Sequence, residues 1–185
     1  MIQFCNHCGL PVTFEVPPGD SLPRHICGNC GHIQYENPKI VVGCVVEWQG
    51  DILLCRRAIE PRLGYWTLPA GFMENGETTS QAAARETLEE AGAGILIDAP
   101  FALFSLAQIG QVHLFYRGRM SSPVYAPGEE SLDVALFAAE DIPWESLAFR
   151  SVALCLERYL SDRSKGRFGF HESDLGHLNL FSASS

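Results

Sequence analysis

The stretch from Gly71 to Ala93 constrains the fold most, because it carries five glutamates and one arginine through a turn and into a helix. At 100° per residue, Glu86, Glu89 and Glu90 fall within about 100° of arc on one helix face. The opposite face carries three small or apolar residues, Ala84, Leu88 and Ala91. The pattern predicts a helix that packs through one face and collects carboxylates on the other.

Both ends of this helix have sequence signals. Thr78, with Gln81 three residues later, has the form of a capping box, and Gly92 stands where a helix would stop. We therefore predict a helix from Thr79 to Ala91. The segment before it, residues 71–76, has the glycines of a loop.

Four of the seven cysteines form two Cys-x-x-Cys pairs separated by eighteen residues. These four are Cys5, Cys8, Cys27 and Cys30. Two matched pairs on glycine-assisted turns have the spacing of a four-thiolate Zn²⁺ ribbon. A redox dithiol or disulfides would also use paired cysteines, but a cytosolic context favours metal. The three other cysteines, Cys44, Cys55 and Cys155, lie in apolar sequence and are expected to be buried thiols.

Charge and composition limit the classes of molecule that the protein is expected to bind. The net charge is −9, and residues 1–38 carry one arginine against three acids, a net charge of −2. Nucleic-acid binding needs clustered Lys and Arg, so the sequence does not favour a nucleic-acid partner. No apolar run has membrane-spanning length and no signal peptide is evident at residues 1–8, so we expect a cytoplasmic protein without a membrane partner.

The chain beyond residue 37 has alternating signals for strands and helices. The runs IVVGCVVEW and DILLCRR, joined at Gln49-Gly50, predict a β-hairpin, and further β-like runs flank Gly110 and follow the loop at residues 121–130. Apolar spacing at Leu147, Val152, Leu156 and Leu160 predicts a second helix, ended by Gly166. We expect a mixed sheet in an α+β chain, with a ribbon at 1–37, a main domain at 38–165 and a tail of unassigned role at 166–185.

Seven residues of the opening stretch match the spacing of the Nudix box. They are Gly71, Glu77, Arg85, Glu86, Glu89, Glu90 and Gly92. A chance match of these seven has a probability on the order of one in a hundred million per starting position. The chain thus resembles the Nudix hydrolases, which implies an α/β/α sandwich preceded by a small zinc ribbon. Thr87 departs from the pattern, which usually has a bulky aliphatic there.

The box residues suit the chemistry of pyrophosphate cleavage. A divalent cation neutralises the phosphate oxygens and activates water, and Mg²⁺ or Mn²⁺ prefers carboxylate oxygens. A solvated charged face is the alternative, but carboxylates three and four residues apart repel one another unless a cation is present. The resemblance implies that Glu86 and Glu90 bind metal, that Glu89 assists and that the Ala70 carbonyl supplies a further ligand. Arg85 is expected to orient a glutamate through a bidentate ion pair.

Residues outside the box complete the expected site. The base is a box glutamate in some Nudix members and a glutamate of a later loop in others, where this chain has Glu129 and Glu130; we favour Glu130. Phe72 matches a position that stacks adenine in related enzymes, but it could equally be core. Trp66 could line a ligand pocket or belong to the core. The arginines at 56 and 57 could clamp a phosphate, but strand-end arginines are usually solvated, which is the interpretation we favour.

The wider resemblance concerns the substrate. A ribbon ahead of a Nudix domain resembles the NADH pyrophosphatases, but their Ser-Gln-Pro-Trp-Pro-Phe-Pro run is absent. The segments FCNHCG, NPKIVVGCVVE, APGEESL and IPWESLAF instead resemble the plant plastid FAD and ADP-ribose pyrophosphatases and their bacterial relatives. We therefore expect release of AMP from ADP-ribose or FAD. NADH pyrophosphatase or RNA NAD-decapping activity, or a non-catalytic nucleotide sensor, are the alternatives, and the resemblance implies a homodimer.

Overall fold

The computed structural model describes residues 2–176, which divide into two compact units between Asn37 and Pro38. The first unit contains an antiparallel three-stranded sheet. Its strands are β1 (Val12–Glu15), β2 (Arg24–Cys27) and β3 (Ile33–Gln34). Among the described residues, no helix is both long enough and apolar enough to cross a membrane.

Two equivalent turns carry the four paired cysteines of this unit. Gly9 N donates to Cys5 O at 2.9 Å, and Gly31 N donates to Cys27 O at 2.9 Å. Both glycines have left-handed backbone angles, with φ of 75° and 70°. Only glycine adopts this conformation at low cost, so the glycine after each pair allows the chain to turn the two thiols inward.

The second unit is built on an eight-stranded sheet with two helices. Its elements in chain order are β4 (Lys39–Trp48), β5 (Asp51–Arg57), β6 (Trp66–Thr67), β7 (Ala70–Phe72), α1 (Thr79–Ala91), β8 (Ile95–Leu106), β9 (Gln111–Met120), β10 (Ser131–Phe137), α2 (Arg150–Ser164) and β11 (His171–Asp174). The strand order is β10-β5-β4-β9-β8-β11, with β6 paired to β5 and β7 to β4. Since β4–β9 and β8–β11 are parallel pairs among antiparallel ones, the predicted mixed sheet is confirmed.

Two hydrophobic clusters lie on opposite faces of this sheet, and the alternation along β4 separates them. Val42, Cys44 and Val46 pack with residues of α1 in one cluster. Val45 packs with α2 residues such as Val152 in the other. The predicted α/β/α sandwich is therefore confirmed, and the three cysteines outside the ribbon are buried as expected.

The bounds of α1 match the sequence prediction at both ends. Thr78 Oγ1 accepts from Gln81 N at 3.2 Å, and Gln81 Oε1 accepts from Thr78 N at 2.8 Å, which completes the capping box. Gly92 ends the helix in the left-handed conformation, with φ of 59°. Local capping chemistry therefore determines this element.

The predicted faces of α1 were partly wrong. Leu88 is 57% exposed, whereas Glu86 and Glu90 are only 9% exposed. The helix packs on the sheet through small residues, Ala82, Ala83, Thr87 and Ala91. Thr87 is fully buried, and its hydroxyl donates to Ala83 O at 2.7 Å, so a polar residue is accommodated where an aliphatic is usual.

The end of the chain differs from the prediction as well. Helix α2 begins at Arg150, so Leu147 precedes it and forms an isolated bridge with Trp66. The expected tail is not separate from the main domain, because its residues 171–174 form β11 and extend the sheet in parallel with β8. Residues 177–185 of that tail lie outside the described part of the chain.

Candidate active site

The backbone of β7 lies directly against the glutamates of α1. Ala70 N donates to Glu90 Oε2 at 3.0 Å. A Cβ atom at Gly71 would overlap the carboxylate of Glu86, so a larger residue here would displace that carboxylate. The Nudix-box glycine therefore leaves room for a buried carboxylate beside the strand.

Arg85 holds three carboxylates and one carbonyl. Its Nε donates to Glu77 Oε2 at 3.0 Å and its Nη2 to Glu77 Oε1 at 2.7 Å, which is the bidentate pair that the sequence predicted. Its Nη1 donates to Glu86 Oε1 at 2.8 Å and to Glu89 Oε2 at 2.9 Å. Nη2 also donates to Phe72 O at 3.1 Å. One guanidinium thus links the loop before α1 to the acidic residues of that helix.

Burial and charge separate the pKa values of these carboxylates. The Arg85 hydrogen bonds lower the pKa of Glu77 to about 2. Burial raises the pKa of Glu90 to about 7, against the opposing effect of the Ala70 amide, and neighbouring Glu86 and Glu130 raise it further. Burial likewise raises the pKa of Glu86, with Arg85 opposing it. A divalent cation would stabilise the ionised forms of both buried carboxylates.

The donor set fits Mg²⁺ or Mn²⁺, because it consists of carboxylate oxygens. Within residues 2–176, however, the oxygens do not converge as tightly as the ribbon thiols do. Arg85 and the Ala70 amide hold oxygens of Glu86, Glu89 and Glu90 in hydrogen bonds. Because the Glu89 side chain is 57% exposed, it is the one most able to reorient towards a cation.

The loop at residues 121–130 is attached to the C-terminal end of α1. Ala126 N donates to Ala91 O at 2.8 Å, and Gly128 N donates to Glu90 O at 3.1 Å. These amides satisfy helix carbonyls that have no partner within the helix. A Cβ at Gly128 would overlap the Glu89 carbonyl oxygen, so the close approach requires glycine. The loop thereby brings Glu129 and Glu130 to the cavity that the box glutamates line.

Residues of β7, of α1 and of the loop at 121–130 line one cavity of about 920 Å³. Seven of the residues predicted for the site line it: Ala70, Phe72, Arg85, Glu86, Glu89, Glu90 and Glu130. Since residues of α1 and of the first turn of α2 both contribute, the cavity spans the two helical layers at one end of the sheet. Its volume is near the upper end of the range for small-molecule sites.

The two aromatic residues predicted to bind substrate have different surroundings. Phe72 is half exposed on the cavity wall, and Lys39 Nζ lies 5.2 Å from its ring centroid. Trp66 is not among the described residues that line the cavity. Its ring contacts Phe137 edge to face at 4.9 Å and packs against the α2-side core. This packing favours the core interpretation of Trp66.

Sequence reasoning missed several cavity residues. Arg57, for which we favoured the solvated interpretation over a phosphate clamp, lines the cavity. Its Nε donates to Pro61 O at 2.8 Å, and its guanidinium lies 5.1 Å from the Phe149 ring centroid. Others include Gln111, His113, Arg150, Ser151 and Leu175. They come from distant segments, so no local pattern links them; the apolar spacing around α2 was the only available signal.

The four ribbon cysteines form a separate cluster in the first unit. Their Sγ atoms all lie within 4.8 Å of one another, with Cys5 and Cys30 at 3.7 Å and Cys8 and Cys27 at 3.5 Å. The backbone amide of Cys30 lowers the pKa of Cys27 to about 6, which favours the thiolate form. Four thiols that converge in this way fit a tetrahedral Zn²⁺.

Comparison with known proteins decides the family. Residues 37–150 match the family described as the NUDIX domain, and residues 3–36 match the zinc-ribbon family described as Nudix N-terminal. The chain belongs to the Nudix hydrolase family. A Nudix hydrolase crystal structure from Nitrosomonas europaea is 48% identical, with a TM-score of 0.92 over 95% of this chain and 99% of that one.

Two further relatives are named for an activity. The NAD-capped RNA hydrolase NudC of Salmonella heidelberg (strain SL476) is 37% identical over 92 residues, which are 49% of this chain and 33% of that relative. This Nudix chain therefore spans about a third of the length of such curated relatives. An ADP-ribose pyrophosphatase from Streptococcus suis 89-1591 is 21% identical, with a TM-score of 0.59 over 74% of this chain and 100% of that one, and shows likeness of fold.

Proposed function

We propose that this Nudix chain hydrolyses the pyrophosphate bond of a nucleoside diphosphate-linked compound, ADP-ribose or FAD, and releases AMP. One observation carries the proposal: two buried glutamates, Glu86 and Glu90, line a cavity of about 920 Å³ beside the Arg85 network. A cavity near the upper end of the range for small-molecule sites suits a two-part nucleotide.

In the proposed mechanism the box residues hold the cation and the phosphates. Glu86, Glu89, Glu90 and the Ala70 carbonyl would hold Mg²⁺ or Mn²⁺, which would neutralise phosphate charge and activate water. Arg85 fixes the orientation of Glu86 and Glu89 through hydrogen bonds from its Nη1. Arginine suits this task because its planar donors remain charged and keep a fixed direction.

Glu130 is the proposed general base. It lines the same cavity, and its backbone carbonyl accepts from Ala58 N at 2.8 Å, which ties the loop to the end of β5. An exposed carboxylate on a tethered loop can approach the attacking water and accept its proton. Phe72 is the proposed stacking surface for adenine, since its half-exposed ring is accessible from the cavity.

NADH or NAD-capped RNA is the second candidate substrate. Similarity to the NAD-capped RNA hydrolase NudC favours it. The ribbon's single arginine among residues 1–38 weighs against an RNA-binding role for that unit. A nucleotide sensor without turnover is the alternative of another class.

Product analysis distinguishes these candidates. Incubation of ADP-ribose, FAD, NADH and NAD-capped RNA with the protein and Mg²⁺ or Mn²⁺, followed by chromatography, should yield AMP from ADP-ribose or FAD at the highest kcat/KM. A higher kcat/KM for NADH or NAD-capped RNA would select the second candidate. Binding without turnover of any compound would favour the sensor.

We also propose that the protein is a cytoplasmic homodimer in which the structural Zn²⁺ site supports a ribbon that acts as a scaffold. A metal-bound ribbon can hold its shape without a large core of its own. Light scattering should give twice the chain mass, and a monomeric mass would contradict the dimer.

A further inference from the structure

The cavity has a part that the metal-site residues do not occupy. We call it the α2-side lobe and define it by six lining residues: Leu106, Ile109, His113, Phe149, Ser151 and Leu175. Leu106 and Leu175 belong to the cluster between the sheet and α2, and Phe149 packs against it. The box glutamates, in contrast, come from α1 on the opposite face of the sheet. The lobe and the carboxylates are therefore contributed by different layers of the sandwich.

The polar groups among these six residues, His113 and Ser151, are uncharged. Two arginines border the lobe: the Arg57 guanidinium lies 5.1 Å from the Phe149 ring centroid, and Arg150 also lines the cavity. His113 Nδ1 lies 3.0 Å from Ser151 Oγ, and its Nε2 lies 3.0 Å from Gln111 Oε1. Because an amide oxygen only accepts, this orientation of Gln111 assigns the ring proton to Nε2 and makes Ser151 the donor to Nδ1. Burial lowers the pKa of His113 to about 4, so the imidazole is neutral at pH 7.

The segment after α2 supplies the residue that completes the apolar wall. Leu175 follows β11 directly, and its N–H donates to Ser105 O at 2.9 Å. Two contacts to Asp162 of α2 hold the approach to this strand, one from Gly169 N at 2.9 Å and one from His171 Nε2 at 2.8 Å. Leu175 is only 3% exposed, so its position is fixed by the sheet and by the core.

A wall of leucine, isoleucine and phenylalanine with a neutral imidazole has a preferred ligand chemistry. Burial of a flat ring against apolar side chains is energetically favourable, and the serine and glutamine can form hydrogen bonds at the edge of the ring. A hydroxyl-rich sugar would lose hydrogen bonds to water there without an equal gain. The lobe therefore suits an uncharged aromatic heterocycle better than a free ribose.

We propose that the α2-side lobe binds an uncharged aromatic ring carried by the half of the substrate beyond the pyrophosphate, and that Leu175 limits the size of that ring. The inference rests on the proposed function, because the pyrophosphate has to lie at the glutamates with adenine on Phe72. Leu175 is then a specificity-determining residue that no part of the Nudix box contains.

Substitution of Leu175 tests the proposal. Leu175→Trp fills the lobe, so KM for FAD and NADH should rise at least about tenfold while KM for ADP-ribose, which has no second ring, changes less than about threefold. Leu132→Trp is the matched control. It makes the same leucine-to-tryptophan change at an exposed position on β10, away from the lobe. Equal changes for all three compounds, or no change, would overturn the proposal.

Correct folding of the variants is checked by thermal unfolding. If Leu175→Trp does not fold, Leu175→Ala replaces it, since removal of a contact should still raise KM for the ring-bearing compounds by about fivefold relative to ADP-ribose. An unchanged ratio between FAD and ADP-ribose in a folded Leu175→Ala would count against the lobe.

A binding measurement separates this inference from the proposed hydrolysis. Riboflavin has no phosphate, and quenching of its fluorescence reports binding without turnover. The wild type and Leu132→Trp should bind it saturably, Leu175→Trp should bind at least about tenfold more weakly, and adenosine should not displace it. If these results hold while no compound is hydrolysed, the proposed function fails and the lobe stands. Absent binding, equal affinity in Leu175→Trp, or displacement by adenosine would overturn the lobe.

Discussion

Arg85 and Glu77 form two parallel hydrogen bonds, at 3.0 Å and 2.7 Å, across the turn that leads into α1. The same guanidinium reaches Glu86 and Glu89, so one side chain connects the loop, the carboxylates proposed to bind metal and the Phe72 carbonyl. A planar five-donor group can do this, whereas a single ammonium cannot.

Arg85→Lys should therefore reduce activity while the charge is kept. We expect kcat to fall about 10- to 100-fold, because Glu86 and Glu89 lose their common donor and are oriented less accurately. Steady-state hydrolysis of the best substrate measures this. Arg56→Lys is the control, since Arg56 Nε donates only to the Gly64 carbonyl, and it should keep kcat within about threefold. A kcat in Arg85→Lys equal to that of the control would show that the bidentate geometry is dispensable.

Glu130→Gln tests the assignment of the base. Loss of the proton acceptor should lower kcat about 10²- to 10⁴-fold, while the affinity for Mn²⁺ stays within a few fold. Glu129→Gln is the matched control in the same loop, and its kcat should remain near that of the wild type. If Glu129→Gln shows the larger loss, the neighbouring residue is the base.

The buried imidazole of His113 predicts a pH dependence of stability. Its pKa in the folded state is about 4, below the usual value of 6.5, because burial disfavours the charged ring. The unfolded chain therefore binds the proton more readily, and the folded state loses stability as pH falls from about 6.5 towards 4. The loss from this group is at most about 3 kcal/mol.

Urea unfolding at pH 7 and pH 4.5 measures this effect. His113→Gln removes the titrating group while keeping donors and acceptors, so its free energy of unfolding should fall less between the two pH values than that of the wild type. The same decrease in both proteins would show that His113 does not carry the pH dependence.

Metal content tests the ribbon. Purified protein should contain one Zn²⁺ per chain, and Cys27→Ser should lose it together with the dispersed NMR signals of residues 2–37. Cys155→Ser, a change of a buried thiol outside the cluster, should retain the metal. A wild-type ribbon that keeps its dispersion after the zinc is removed by a chelator would show that the fold does not depend on the metal.

The sequence predicted those features that depend on local chemistry. The capping box at Thr78 and the stop at Gly92 set the bounds of α1, because caps act within one turn. The Gln49-Gly50 turn likewise joins β4 and β5 as expected, with both residues at positive φ. Features that depend on tertiary packing were harder to predict from the sequence.

Leu88 illustrates the limit of a helical pattern. Its apolar side chain indicated the packed face, but α1 approaches the sheet through alanines and Thr87, which permit closer contact than leucine. Strand β11 is similar, because HESD has no β-like pattern and forms a strand only by pairing with β8. The cavity residues His113, Ser151 and Leu175 come from three separate segments, which only the folded sheet brings together.

Glu90 is the proposed ligand of the metal that would activate this site. Hydrolysis by Glu90→Gln, compared with Glu74→Gln and measured with saturating Mn²⁺ on protein of verified fold, tests this role most directly. Glu74 contributes its backbone amide to Glu77, so its side chain can be changed without removing that contact. Glu90→Gln should abolish turnover with folding intact, while Glu74→Gln should remain active. Near-normal turnover in Glu90→Gln would contradict it.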